Sequence, residues 1–285
     1  MDVRKSRLII LLGLGVFSIL NTEMGFIGLL PYIAQDFNVT IVTAGLLISL
    51  FALGVAIAGP IMPLLASRFN RKYVMVVVLT VFTIANLLAM KTQDFTILLL
   101  LRVIPAFLQP VYCALAFSVA AELAPEGEAP KAVARVNMGV AGGMVLGVPI
   151  SNYLAGTFNL TVALGFFALV TGLVLFLTIW EMPSLPAVER PSLGGQISVL
   201  KDPNVWLAIG FVICMNGSIF GVFNYMADYY STVRMVTDQD TSILLLVFGL
   251  YNILGSYVAG NLLTTYPRHT LWGVLVGLLV FYGLF

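Results

Sequence analysis

Nine apolar stretches, all but the last at least 20 residues long, leave this chain little choice of fold. They run over residues 8–34, 41–66, 73–92, 95–122, 131–156, 160–180, 205–230, 241–264 and 270–285. About 20 apolar residues in helical geometry match a hydrocarbon layer roughly 30 Å thick. A helix satisfies its own backbone donors and acceptors there, whereas an isolated strand cannot. Composition agrees, with 60% apolar residues and only 9% charged, against about 25% charged in soluble proteins. Mean hydropathy is +1.03. The expected fold is therefore all-α and polytopic, with about nine transmembrane helices.

Arg4, Lys5 and Arg7 precede the first apolar run. That run is far longer than the roughly 7–15 residues of a signal-peptide core, so it reads as the first span. Loops are short except at 181–204, where Pro183, Pro186, Pro191, Pro203 and the pair Gly194-Gly195 mark a polar linker. Residues 1–180 then form a six-helix bundle, 181–204 the linker, and 205–285 the first three helices of a second bundle.

Basic residues test the orientation, because short loops rich in Lys and Arg stay in the cytoplasm. With the amino terminus inside, Arg4, Lys5, Arg7, Arg68, Arg71, Lys72, Lys131, Arg135, Arg190, Lys201 and Arg268 all fall on the cytoplasmic side. Only Lys91 and Arg234 fall on the other side, and Arg102 lies within a span. This predicts a multi-pass protein with a cytoplasmic amino terminus and a cytoplasmic linker, in contact with the lipid bilayer and working as a single copy.

Several functions are disfavoured. A net charge of +1 offers no field to hold nucleic acid. The single histidine, His269, has no second member for a metal site or an acid–base pair. No Gly-x-x-x-x-Gly-Lys phosphate loop occurs. Cys113 and Cys214 sit in apolar runs and read as free thiols. No cofactor, metal or enzymatic activity is expected.

The chemistry concentrates on few residues. Glu23 lies mid-way along the first apolar run, where a carboxylate costs several kcal/mol and must face the bundle interior. It is either a proton-coupling group or a hydrogen-bonded packing element. Arg102 in the fourth run is its natural counter-charge, or else snorkels to the interface. Asn21, Tyr112, Asn216, Asn224 and Tyr225 are polar groups at membrane depth that could contact substrate, while Asp228 reads as a solvated loop carboxylate. Gly139, Gly142, Gly143, Gly147 and Pro149 suit close helix packing with a kink, with or without a gating role.

A faint internal repeat accompanies the spans. Leu65 to Lys72 aligns with Leu262 to His269 at an offset of 197, which also places Phe26 on Phe223 and Tyr32 on Tyr229. Phe285 then falls on Leu88, so the partners of spans four to six are expected to be missing.

The run Asn21-Thr22-Glu23-Met24-Gly25-Phe26 with Gly28-Leu29-Leu30-Pro31, and the loop Leu65, Arg68, Arg71, Lys72, resemble motifs of the major facilitator superfamily. The resemblance is to its drug/proton antiporter branch, with the bacterial arabinose and sugar efflux relatives. In the loop motif Pro63, Ser67 and Asn70 replace a Gly, an Asp and a Gly. Arg102 matches the family's embedded arginine, with Ala106 in place of a Gly, and the span-five glycines with Pro149 are similar to the antiporter motif. The resemblance implies a major facilitator fold in a bacterial inner membrane. It also implies proton-coupled efflux of a drug-like or sugar-like molecule by alternating access, with Glu23 and Arg102 in coupling. Arg68, Arg71 and Lys72 read first as topological determinants alone, and the resemblance adds a gating role as the alternative. In that family span five helps to seal the interface between the halves. The alternative expectation is a truncated, transport-inactive product of such a gene.

Overall fold

A computed structural model describes residues 3–187, 201–232 and 238–284 of the protein. Among these residues every extended element is a helix and there is no strand. The helices are α1 (Val3–Asp36), α2 (Ile41–Ala44), α3 (Leu46–Ala58), α4 (Met62–Ala66), α5 (Arg71–Ala89), α6 (Phe95–Ala106), α7 (Gln109–Leu123), α8 (Ala129–Thr157), α9 (Leu160–Glu181), α10 (Pro203–Thr232), α11 (Asp238–Thr265) and α12 (Pro267–Leu284). Six of the expected spans are helices long and apolar enough to cross a membrane, from Arg4–Asp36 to Leu160–Glu181. The other three coincide with α10, α11 and α12, of 30, 28 and 18 residues. Most of the linker, residues 188–200, lies outside the described residues.

Two spans are broken rather than straight, and the sequence says why. In the second span Gly45 separates α2 from α3, and a turn over Gly59 to Ile61 precedes α4, whose second residue is Pro63. In the fourth span Pro105 and Pro110 flank a turn at Phe107 and Leu108. Proline has no amide hydrogen to give to the helix ladder, so two within six residues interrupt it. Helix starts are capped locally. Thr40 accepts from Thr43 N at 3.1 Å, Asp94 from Thr96 N at 2.7 Å, and Asn159 from Val162 N at 2.9 Å. Asn38 turns the chain out of α1 with φ 52°, a left-handed conformation that asparagine tolerates.

The first bundle is organised around α1, which lies against α8, α9 and α7, while α5 packs on α9 and α3 on α6. Its core falls into two apolar clusters. On the near side, where the chain begins, Leu8, Ile9, Leu12, Val16, Met75, Leu79, Phe82, Val119 and Val136 pack together. On the far side are Phe26, Leu29, Ile33, Leu47, Leu98 and Phe167. Along α1 the polar residues Asn21, Thr22 and Glu23 fall between them. Outer faces carry exposed apolar side chains at helical spacing, such as Leu169, Leu173 and Phe176, as lipid contact requires.

The glycines of α8 face α1. A Cβ on Gly139 would collide with the carbonyl of Gly13, one on Gly143 would meet Leu20 Cβ at 2.8 Å, and one on Gly147 would meet Gly25 N at 3.1 Å. Their four-residue spacing lets the two backbones approach within the first bundle. Contact with α11 uses other positions of α8, namely Ala134, Asn137 and Val145. Gly139, Gly143 and Gly147 thus make the close helix packing, and they make it with α1. The helix runs uninterrupted through Pro149.

Candidate functional site

Glu23 lies partly buried in the layer between the two apolar clusters. Its Oε2 accepts a hydrogen bond from Gln109 Nε2 at 2.6 Å. Gln109 is the first residue of α7, so the proline-flanked break in the fourth span delivers it to α1. Arg102 stands one turn ahead of that break on α6 and is only 4% exposed. Its guanidinium donates through Nη2 to the main-chain carbonyl of Glu23 at 2.9 Å. It also lies between two rings, with Cζ 4.3 Å from the Phe26 centroid and 3.9 Å from that of Phe51. Such stacking suits a delocalised cation in a low-dielectric site.

The snorkelling alternative for Arg102 falls at this point. Arg102 does not snorkel to an interface, because aromatic rings and a carbonyl enclose it inside the bundle. Nor is it within 4 Å of the Glu23 carboxylate, since the ion pairs among the described residues are Arg71–Glu122 and Lys131–Glu128. Acid and base share one residue of contact, but through its backbone, while a neutral amide holds the acid.

The layer continues on the other side of Arg102. A small cavity of about 10 Å3 is lined by Thr22, Asn86 and Arg102 together with Phe26, Phe82 and Leu98. Asn86 Nδ2 donates to Thr22 Oγ1 at 3.4 Å, and Thr22 Oγ1 to the Ser18 carbonyl at 3.0 Å. Asn21 is fully buried, and both polar atoms of its amide lack a hydrogen-bond partner, as do Arg102 Nε and Gln109 Oε1. Ser151 of α8 ties the layer to α1 by donating to the Gly25 carbonyl at 2.9 Å.

Other candidate residues lie elsewhere. Tyr112 is 1% exposed in the near-side core, with its ring filling the space over Gly15. Asn216 is exposed on α10 and its amide donates to Val212 O at 2.9 Å, apart from the Glu23 layer. The side chains of Asn224, Tyr225 and Asp228 lie outside the described residues. Arg68 is exposed, whereas Arg71 Nη1 donates to both Glu122 oxygens, at 2.8 and 2.7 Å, and Lys72 Nζ donates to Ile179 O at 3.0 Å. Cys113 and Cys214 are both free thiols.

Gln109, Asn86, Phe51 and Glu122 did not emerge from the sequence. Gln109 left one usable signal: it lies seven residues beyond Arg102, two helical turns along the same face. Glu122 is an acid at the end of the fourth span, on the side that holds the basic loop.

Known proteins place these features in a lineage. The chain is 30% identical over 275 residues to the inner membrane transport protein YdhP of Escherichia coli, an alignment covering 94% of this chain and 69% of that protein. It is 28% identical to the transporter YtbD of Bacillus subtilis, covering 96% and 70%. It is 24% identical to the putative transporter AraJ of E. coli, covering 90% and 65%. Among solved structures it superposes on the E. coli fucose:proton symporter FucP with a TM-score of 0.72 at 16% identity, covering 95% of this chain and 73% of that one. The proton:xylose symporter XylE matches with a TM-score of 0.68 at 13% identity, covering 91% and 69%. The chain is a membrane protein of a transporter lineage and not an enzyme. With the family model matched over residues 12–285 and an embedded acid and base on spans one and four, the chain belongs to the Major Facilitator Superfamily.

Proposed function

We propose that the protein is a proton-coupled efflux transporter for a small organic molecule, drug-like or sugar-like, which works by alternating access in a bacterial inner membrane. The observation that carries this reading is the Glu23 carboxyl, enclosed at membrane depth and held by Gln109 rather than by a cation. A carboxylate locked to a guanidinium would stay charged, whereas one held by a single neutral donor can change its protonation as its surroundings open and close. Arg102, fixed on the Glu23 carbonyl and between two rings, supplies a nearby positive charge. A rearrangement of α6 against α1 would bring that charge towards the carboxylate or remove it. Asn21, adjacent in the same layer with an unpartnered amide, is the best placed of the proposed substrate contacts. Substrates of such transporters bind near the midplane between the repeats.

The orientation that places the amino terminus and the Arg68, Arg71 and Lys72 loop in the cytoplasm rests on the distribution of basic residues. Direction of transport rests on the antiporter-like motifs. Two of the structural neighbours are sugar symporters, and their likeness extends to the fold alone.

Everted membrane vesicles holding the protein test this reading. After respiration builds an inside-acid gradient, lipophilic cations and pentoses are added and the gradient is followed with a fluorescent amine. At least one compound class should partly collapse it with the unaltered protein and not with Glu23→Gln. Equal responses from the two proteins would remove Glu23 from coupling, and a response only in right-side-out vesicles would indicate uptake.

A further inference from the structure

The linker does not leave the first bundle where α9 ends. Beyond Glu181 the chain becomes extended, and Met182 is 2% exposed in the near-side apolar cluster. Leu185 packs against the same cluster, which also takes in Met62 and Ala66 of α4. Around these two anchors the chain is bonded to the loop ahead of α5. Arg71 N donates to Leu185 O at 2.9 Å, and Asn70 Nδ2 donates to Ser184 Oγ at 2.8 Å. Just before them, Lys72 Nζ donates to Ile179 O at 3.0 Å.

Asn70 works in two directions, because its Oδ1 also accepts Lys72 N at 3.0 Å and so caps α5. Arg71 continues the assembly downwards to Glu122, which takes a third bond from Ser118 at 3.2 Å. The end of α7, the start of α5 and the start of the linker are thereby joined. Asn70 stands where the resembled loop motif has a glycine, and glycine could neither cap the helix nor reach Ser184.

We propose that residues 182–185 are a clasp belonging to the first bundle: they dock on the loop between α4 and α5 and hold it in place. Each exposed hydrogen bond adds only a severalfold factor to the docking. The apolar anchors Met182 and Leu185 supply the adhesion, and the bonds at Asn70 and Arg71 fix its register. Loop position is thus governed from within the first bundle, so that loosening the clasp loosens the loop.

Leu185→Cys, in the full chain with Cys113→Ser and Cys214→Ser, tests the clasp through its rate of labelling by a membrane-impermeant maleimide in detergent. In the folded protein labelling should be at least about tenfold slower than in sodium dodecyl sulfate, because reaction requires undocking. Ser184→Ala removes one bond without touching the α5 cap and should speed labelling about fivefold, as should Asn70→Gly. Labelling in the folded protein as fast as in sodium dodecyl sulfate would overturn the proposal. So would a slow rate that neither substitution changes. Should Asn70→Gly fail to fold, Ser184→Ala decides alone.

Discussion

Gln109 Nε2 lies 2.6 Å from Glu23 Oε2, and this amide, not Arg102, is the hydrogen-bond partner of the carboxyl in the first span. Arg102 reaches the same residue from the other side, at its main-chain carbonyl. The break between α6 and α7 separates the two donors, so a change in the bend of the fourth span moves amide and guanidinium relative to one carboxyl group. Acid, amide and cation therefore form a unit whose members should not behave independently.

A double-mutant cycle on Glu23→Gln and Gln109→Leu should show this dependence. Residues that share a buried hydrogen bond couple by about 0.5–3 kcal/mol, so the two losses of proton-driven transport should fall well short of adding. The single substitutions are each expected to lower transport at least about tenfold, equivalent to about 1.4 kcal/mol. Fully additive effects in vesicle assays would mean that the bond has no part in coupling.

Arg102→Lys should not be conservative. The flat guanidinium fits between Phe26 and Phe51 and donates to a carbonyl, whereas an ammonium has neither the plane nor the fork. A loss of about 1–2 kcal/mol in resistance to unfolding by sodium dodecyl sulfate is expected, with a larger loss for Arg102→Ala. A lysine variant as stable as the parent would show that the rings contribute only packing.

Gly139→Ala should sharply reduce the yield of folded protein, because the new Cβ runs into the Gly13 carbonyl and neither backbone can yield. Overpacking of this kind costs about 1–3 kcal/mol or more. Gly172→Ala is the control. Its Cβ would meet only Thr83 Cγ2, at an ordinary 3.5 Å, and it gains up to about 1 kcal/mol of helix propensity. Size-exclusion profiles of the two variants should therefore move in opposite directions.

The spans of the first bundle could be read from the chain because lipid demands long apolar helices and little else satisfies a backbone there. Glu23 and Arg102 stood out for the same reason, as charges where charge is costly. Their partners were hidden. A run such as Phe95 to Leu123 gives no period that marks its inner face when lipid outside and core inside are equally apolar, so the facing of Gln109 had no signal beyond its spacing from Arg102. Asn70 read as a departure from a motif, and only the docked linker shows what that side chain reaches. The direction faced by the span-five glycines depended on which neighbour lay 3 Å away, which composition cannot supply.

Contact between the halves offers a last test. Along α8 and α11, Ala134 meets Gly260, Asn137 Nδ2 donates to Ser256 Oγ at 3.0 Å, and Val145 meets Gly249. Residue numbers rise on one helix as they fall on the other, so the helices are antiparallel and in contact for about 16 Å, at 1.5 Å per residue. The pair Asn137→Cys with Ser256→Cys, in a chain otherwise free of cysteine, should cross-link readily with a short bifunctional reagent. Asn137→Cys with Gly249→Cys, displaced by seven residues or about 10 Å, should not. The Asn137–Ser256 bond ties α8 to α11, and the alternating access proposed above would have to break it. Cross-linking of the first pair should therefore slow transport, and Asn137→Ala should weaken this closed contact by about 1 kcal/mol. Equal cross-linking of both pairs would mean that α8 and α11 do not hold this register.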